Sequence, residues 1–135
     1  MNSITYMLEQ LSGPDTDTAT AITNVLGKKL IGVAVDEEKN HLLLSFDNGA
    51  SIRVWDDGQS CCESRYMSTD DDLAPFVGAT LTNLELRDGP RVDNDYETHD
   101  QQFLVVTTSL GSFTVVNHNE HNGYYGGFVL RAEAA

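Results

Sequence analysis

After residue 30, short segments that are either apolar or alternate between hydrophobic and polar residues run along much of the chain, which is the pattern of β-strands. Residues 30–35, 41–46 and 51–55 have this strand character, and polar turns separate them. Asn48-Gly49 lies between the second and third segments, and this dipeptide is the strongest short sequence signal for a β-hairpin with a type I′ turn. The pattern therefore predicts an antiparallel meander of three strands.

The second half of the chain continues the strand pattern, with longer polar interruptions. Residues 80–86, 102–108, 112–116 and 128–131 are strand-like, whereas residues 56–78 are typical of irregular structure and 88–99 of an exposed loop. Thr69 or Asp70 is expected to cap one short helix that ends near Gly78. The predicted fold is mainly β: an antiparallel sheet of six or seven strands, or a barrel-like meander, with one or two short helices.

The first 26 residues have a helical pattern instead. Apolar residues fall at helical spacing at Ile4, Met7, Leu8 and Leu11. Gly13-Pro14 ends that helix, residues 15–18 predict a loop, and residues 19–26 predict a second short helical turn. We therefore expect residues 1–26 to form an N-terminal helical segment or tail, and residues 27–135 to form a single β-rich ligand-binding domain.

The charge of the chain limits its partners. Eight Lys and Arg residues against 21 Asp and Glu residues give a formal net charge of −13 over 135 residues. A field of this sign repels nucleic acids and anionic membranes, so we expect no direct nucleic-acid binding and no membrane partner. The start of the chain has no secretory-signal pattern, which favours a cytoplasmic protein. The acidity itself fits either a well-solvated surface or mimicry of DNA directed at a DNA-binding protein.

Residues 117–127 are the most unusual segment, because they place polar donors, two tyrosines and three glycines between two strands. Glycine permits close backbone approach to a ligand, and tyrosine offers a stacking surface for a base. The Asn122 amide has the paired donor and acceptor that a base edge requires. A tight connection whose tyrosines only pack on the sheet is the alternative for this segment.

His118 and His121 suggest a metal site, but their spacing suits a helix and this segment is typical of a strand that runs into a turn. A disulfide between the adjacent Cys61 and Cys62 would strain the backbone, so we expect two thiols, and the absence of a second cysteine pair disfavours a zinc site. No P-loop or nucleophile-elbow motif is present in the sequence. We therefore assign no metal, cofactor or catalytic residue and predict a binding protein, with a metal-dependent enzyme built on His118 and His121 as an alternative.

Arginines are scarce in this acidic chain, and they occur at five positions: Arg53, Arg65, Arg87, Arg91 and Arg131. A guanidinium group holds phosphate through two parallel hydrogen bonds and also stacks on aromatic rings. Two or three arginines that converge near the Tyr124-Tyr125 turn would form an anion site. The alternative for each arginine is a surface ion pair with a carboxylate.

Three motifs together resemble a family of small phage and bacterial proteins of unknown function. They are Cys61-Cys62-Glu63-Ser64-Arg65-Tyr66, Thr69-Asp70-Asp71-Asp72-Leu73 and His121-Asn122-Gly123-Tyr124-Tyr125. The resemblance extends from about Gly27 to Arg131. The chain thereby also resembles the phage Thoeris anti-defence proteins of the first type. Those proteins are oligomers that sequester cyclic ADP-ribose signals, some also cyclic oligonucleotides, without cleaving them.

The resemblance implies a non-enzymatic counter-defence protein that binds a cyclic nucleotide-derived signal as a homo-oligomer in the host cytoplasm. The residues expected to shape a base-binding pocket are His118, Asn122, Gly123, Tyr124 and Tyr125. The residues expected to meet phosphate are Arg53, Arg65 and Arg131. Because the strong acidity opposes an anionic ligand, these arginines would have to offset it locally.

Overall fold

Eight strands and one helix make up the part of the chain that the computed structural model describes, residues 16–36, 41–58, 63–93, 97–122 and 128–135. The helix α1 spans Thr16–Val25. The strands are β1 (Leu30–Asp36), β2 (His41–Phe46), β3 (Ser51–Asp56), β4 (Glu63–Ser68), β5 (Leu81–Asp93), β6 (Thr98–Thr108), β7 (Gly111–His121) and β8 (Leu130–Ala134). Among these residues, no helix is long and apolar enough to cross a membrane.

The strands form two four-stranded antiparallel sheets. The first has the order β1-β2-β3-β8, and the second has the order β4-β7-β6-β5. The prediction of a mainly β, antiparallel fold with a short helix is confirmed. The detail differs, because the described residues form eight strands rather than six or seven, and these strands make two open sheets rather than one sheet or a barrel.

The two sheets pack face to face around a single hydrophobic core. Every second residue of a strand points inward, as in Leu42, Leu44 and Phe46 of β2 and Phe113 and Val115 of β7, all at most 1% exposed. Burial of this apolar surface is the main favourable term in folding. The alternate residues of each strand form the two outer faces of the sandwich, and these faces carry most of the candidate chemistry.

The Asn48-Gly49 hairpin between β2 and β3 is present, with a different turn from the one predicted. Phe46 N–H donates to the Ala50 carbonyl at 2.9 Å, so three residues, 47–49, form the loop. Gly49 has a φ of 87°, the left-handed conformation that closes three-residue hairpin loops. Asn48 Oδ1 accepts the Ala50 N–H at 3.0 Å. The local signal therefore predicted the hairpin, and one extra residue changed the turn type.

Strand β4 lies within residues 56–78, where irregular structure was expected. The expectation was wrong because the inward positions of β4 are Arg65 and Met67, and a charged residue on the inner face obscures the alternation. The short helix expected after Thr69 or Asp70 is only a 3₁₀ turn, Ala74–Phe76. It is followed by Gly78, whose φ of 96° does not continue a helix.

The exposed loop expected over residues 88–99 is also wrong, because β5 continues to Asp93 and β6 begins at Thr98. Cross-strand pairs hold these polar ends together, and Thr98 Oγ1 donates to Asp93 Oδ1 at 2.8 Å. A register shift between Asp88 and Arg91 accommodates Gly89-Pro90, which a regular ladder would not accept. Tertiary pairing thus overrides the low strand propensity of these residues.

The helical turn expected over residues 19–26 corresponds to α1, which begins earlier and includes residues 16–18 of the expected loop. Ile22 and Val25 are buried and belong to the core, and α1 packs against β8 and β3. The helix expected around residues 4–11 lies outside the described residues.

Candidate functional site

Arg53 and Arg131 lie on the outer face of the first sheet, on the neighbouring strands β3 and β8. In the β3–β8 ladder Arg53 faces Glu133 and Trp55 faces Arg131. Their neighbours Val54 and Ala132 are buried, so strand alternation directs the arginines outward. We call Arg53, Trp55 and Arg131, together with His41 opposite Trp55, the Arg–Trp face.

Both arginines of the Arg–Trp face form surface ion pairs. Arg53 Nε donates to Glu133 Oε1 at 2.6 Å, and Arg131 Nε lies 2.9 Å from Asp57 Oδ2. The four side chains are between 38% and 51% exposed. Ion pairs at this exposure are worth about 0–1 kcal/mol, so a more highly charged anion can displace the carboxylates at small cost.

Aromatic rings lie beside these charges. The rings of Trp55 and His41 have their centroids 5.8 Å apart at an interplanar angle of 60°. Trp55 Nε1 donates to Asp57 Oδ1 in a long hydrogen bond of 3.4 Å. A partly exposed indole beside two guanidinium groups combines a stacking surface with anion donors, and nucleotides need both.

An open groove between α1 and β8 adjoins this face. It encloses about 300 Å³ and is lined by Thr20, Ala21, Asn24, Glu133 and Ala134. Glu133 is shared between the groove and the Arg53 ion pair. The volume is at the lower end of the range for small-molecule sites, which suits a base or a ribose next to a phosphate group.

Arg65, the third arginine assigned to phosphate, lies inside the sandwich. Its Nη1 donates to both oxygens of Asp56, at 2.9 and 3.0 Å, and its Nη2 donates to Glu63 Oε2 at 2.6 Å. The side chains of Arg65, Asp56 and Glu63 are 5%, 3% and 1% exposed. The structure therefore separates Arg65 from Arg53 and Arg131, which lie on an outer face.

Two fully buried asparagines complete this buried ionic network of Asp56, Glu63, Arg65, Asn117 and Asn119. Asn117 Nδ2 donates to Asp56 Oδ2 at 3.1 Å, and Asn119 Nδ2 donates to Glu63 Oε2 at 3.0 Å. The network joins β3 of the first sheet to β4 and β7 of the second. The network therefore links the two sheets from inside the sandwich, since each carboxylate is held by both a guanidinium and an amide.

His118 and His121 lie on opposite faces of β7, because three residues along a strand reverse the side-chain direction. His121 is buried, with Nε2 2.7 Å from Asp100 Oδ2, whereas His118 is on the outer face. Two imidazoles on opposite faces of a sheet cannot bind one ion. Across the described residues there is no group of three or more His, Cys, Asp or Glu side chains that could hold a metal.

His118 instead joins a cluster on the outer face of the second sheet. Ser68 Oγ lies 2.7 Å from His118 Nε2, and His99 Nε2 lies 2.8 Å from His118 Nδ1. The Tyr66 and His118 rings stack with centroids 4.4 Å apart and an interplanar angle of 11°. Sequence reasoning missed Ser68, His99 and Tyr66 as partners of His118, because their strands were predicted as irregular structure or a loop.

The environment shifts the pKa values of two members of this cluster. Burial and the neighbouring His99 lower the pKa of His118 below its ordinary 6.5, against the opposite effects of Glu120 and Asp70. Burial and the Glu120 carboxylate raise the pKa of the Tyr66 hydroxyl above its ordinary 10.0. Both groups are therefore neutral near pH 7.

Asn122 is exposed at the end of β7. Gly123, Tyr124 and Tyr125 lie outside the described residues, as do Cys61 and Cys62, so the expected base pocket of the Asn-Gly-Tyr-Tyr turn stays a prediction. In the acidic run, Asp71 Oδ2 accepts the Thr114 N–H at 2.8 Å and Asp72 Oδ1 accepts the Ala74 N–H at 3.2 Å. Asp72 therefore stabilises the start of the 3₁₀ turn, whereas Asp71 attaches its segment to the backbone of strand β7.

Most of the chain matches a known protein family. Residues 23–130 match DUF7448, which is described as a domain of unknown function. The chain belongs to this family. The DUF7448 match begins within α1 and reaches the start of β8, so it includes the buried ionic network, Arg53 and His118. No curated protein and no solved structure matches the chain. DUF7448 membership agrees with the expected resemblance to a family of unknown function and leaves the ligand to be argued from geometry.

Proposed function

We propose that this protein binds and sequesters an anionic, nucleotide-derived small molecule, a cyclic ADP-ribose isomer or a cyclic oligonucleotide, and releases it unchanged. The observation that carries the proposal is the Arg–Trp face, where Arg53, Trp55 and Arg131 lie together beside the α1–β8 groove. The proposed role is phage counter-defence in the cytoplasm of a host cell, which follows from the resemblance to the Thoeris anti-defence proteins.

The phosphates of the ligand would bind to the two guanidinium groups. Each group already holds a carboxylate through a surface ion pair, at Glu133 or Asp57. Each phosphate of such a ligand has two non-bridging oxygens and can accept bidentate hydrogen bonds from arginine in place of the carboxylate. Two phosphates on one ligand would meet both arginines at once, which gains more than either exposed ion pair provides.

The base would stack on the ring surfaces of the same face or enter the groove beside α1. Stacking of a base on an aromatic side chain is worth about 1–3 kcal/mol. The Trp55 indole is the largest ring of the Arg–Trp face, and His41 lies across the strand from it. Asn24 lines the groove and offers an amide to a base edge or a ribose hydroxyl.

The test is calorimetric titration with cyclic ADP-ribose isomers and cyclic di- and trinucleotides, using wild-type protein and three single variants. Arg53→Gln and Arg131→Gln should each weaken binding at least about tenfold, since each removes one charged bidentate contact. Arg87→Gln is the matched control, because Arg87 is 60% exposed and paired with Glu85 on the second sheet. It removes the same charge from another place and should leave the affinity unchanged.

Equal weakening by all three variants would contradict the proposed face, because it would show that only the net charge matters. Recovery of a hydrolysed or isomerised ligand after heat denaturation would contradict sequestration and indicate turnover. Size measurement of the complex tests the homo-oligomer that belongs to the same proposal.

A further inference from the structure

Ser68, His118 and His99 form a continuous line of side-chain hydrogen bonds across three strands. Ser68 Oγ on β4 lies 2.7 Å from His118 Nε2 on β7, and His118 Nδ1 lies 2.8 Å from His99 Nε2 on β6. The three side chains are partly exposed on the outer face of the second sheet. They lie on the opposite side of the sandwich from the Arg–Trp face.

We propose that Ser68 is a nucleophile that accepts acyl or phosphonyl groups from activated esters, with His118 as its general base and His99 as a positioning residue. A reactive serine needs a neutral imidazole in hydrogen-bond contact with its hydroxyl, and a further group that orients this imidazole. The three residues provide both contacts. This reactivity is separate from the proposed ligand binding and does not depend on it.

The hydrogen-bond directions are mutually consistent. For the Ser68 hydroxyl to donate, His118 Nε2 must carry no proton, so that neutral His118 carries its proton on Nδ1. That N–H then donates to His99 Nε2, which fixes the second imidazole as the acceptor. The result is the tautomer of His118 that a general base requires, with its ring held from both sides and stacked on Tyr66.

The chemical step balances without a metal or a redox partner. Ser68 Oγ attacks the carbonyl carbon of an ester, its proton passes to His118 Nε2, and the ester C–O bond breaks. The leaving alkoxide takes the proton from His118, which leaves an acylated serine and a free alcohol. With a phosphonyl fluoride, the Oγ–P bond forms, the P–F bond breaks and fluoride departs, while the proton remains on His118.

The surroundings favour this role for His118. Tyr66 stacks on the His118 ring. Glu120 and Asp70 supply negative charge that stabilises the His118 imidazolium once it forms, whereas His99 destabilises this imidazolium. Burial and His99 prevail, so the pKa of His118 lies below 6.5 and the ring is a neutral base at pH 7. The strand β4 is the edge of its sheet, where every second backbone N–H points away from the ladder.

The test is labelling with a fluorophosphonate probe, followed by intact mass measurement and peptide mapping. Ser64 is the matched control, because it lies four residues earlier on the same face of β4 and is paired with Glu120 instead of a histidine partner. Wild-type protein and Ser64→Ala should each take one label at Ser68. Ser68→Ala should take none, and His118→Asn should react about 10²-fold more slowly.

The pH profile separates chemistry from structure. Labelling requires neutral His118, so its rate should be constant above pH 7 and fall as the pH drops through a midpoint below 6.5. His99→Asn removes the neighbour that lowers the pKa of His118, so the midpoint should move to higher pH while Ser68 remains the labelled residue. Circular dichroism of each variant checks that the fold is retained.

Any of three results would overturn the proposal. They are labelling of Ser64 as readily as of Ser68, no label at Ser68 in the wild type, and a labelling rate that His118→Asn does not change. Arg53→Gln should label like the wild type. The outcome for Ser68 is therefore distinguishable from the outcome for the Arg–Trp face.

Discussion

Arg65 is the cation of the buried ionic network. Two nearly fully buried carboxylates hold it, and two buried asparagines hold the carboxylates. Taking such charges out of water is costly, and the cost is recovered only while every partner is present. Arg65 is therefore a structural cation, although the same residue belongs to the motif that suggested phosphate binding.

Replacement of Arg65 by methionine should destabilise the fold by about 3–5 kcal/mol, because Asp56 and Glu63 would remain buried without a cation. Urea denaturation measures this change in the free energy of unfolding. Arg87→Met, at an exposed ion pair, should change it by no more than about 0.5 kcal/mol. Similar losses of unfolding free energy in the two variants would show that the buried ionic network does not hold the two sheets together.

Gly58 is a second single-residue requirement of the same network. A Cβ at this position would lie 2.6 Å from Arg65 Nη1 and 2.9 Å from Val129 Cγ2. The guanidinium cannot move aside without breaking its bonds to Asp56. The backbone of Gly58 is also held in place, because its N–H donates to the same carboxylate at 2.8 Å. Close backbone approach thus explains glycine at this position.

Gly58→Ala should lower the free energy of unfolding by about 1–3 kcal/mol, the usual cost of forcing atoms into a packed site. The matched control is Gly32→Ala in β1, where a Cβ would meet Ser45 at an ordinary 3.5 Å. Chemical denaturation of both variants provides the comparison. An unchanged stability in Gly58→Ala would show that Arg65 is not held as tightly as its contacts indicate.

At the scale of elements, the sequence predicted the features that depend on neighbouring residues, and it did not predict those that depend on contacts between distant strands. The Asn48-Gly49 hairpin and the strands on both sides were predictable, because turn residues and alternating apolar residues act over a few positions. Strand β4 was not, because Arg65 faces inward only in the company of Asp56 on β3. The contact between His118 and His99 requires the β6–β7 register, which no local pattern in the sequence encodes.

The helix α1 matters to the proposed function because it forms one wall of the groove at β8. Asn24→Trp should fill that groove and weaken ligand binding about tenfold or more, since the bulky ring occupies space that the ligand needs. Thr23→Trp is the control, because Thr23 is exposed on the same helix but does not line the groove. Equal ligand affinities of the two variants in calorimetric titration would contradict ligand binding in the groove.

At the scale of the whole molecule, the net charge of −13 opposes any anionic ligand. Salt screens this long-range repulsion and also weakens the exposed guanidinium–phosphate contacts, so its two effects on the affinity oppose each other. Binding of a nucleotide signal should therefore depend only weakly on ionic strength. DNA mimicry, the second explanation of the acidity, requires a basic protein partner whose binding fades steeply with salt.

Native mass spectrometry of the purified protein, mixed with cyclic ADP-ribose isomers and cyclic di- and trinucleotides, tests the central claim most directly. It reports the assembly size and the bound ligand in one spectrum. We predict a stoichiometric complex with one ligand class, from which heating releases the ligand with its mass and retention time unchanged. An unliganded protein across the whole panel would contradict the account and move the search to a basic protein partner.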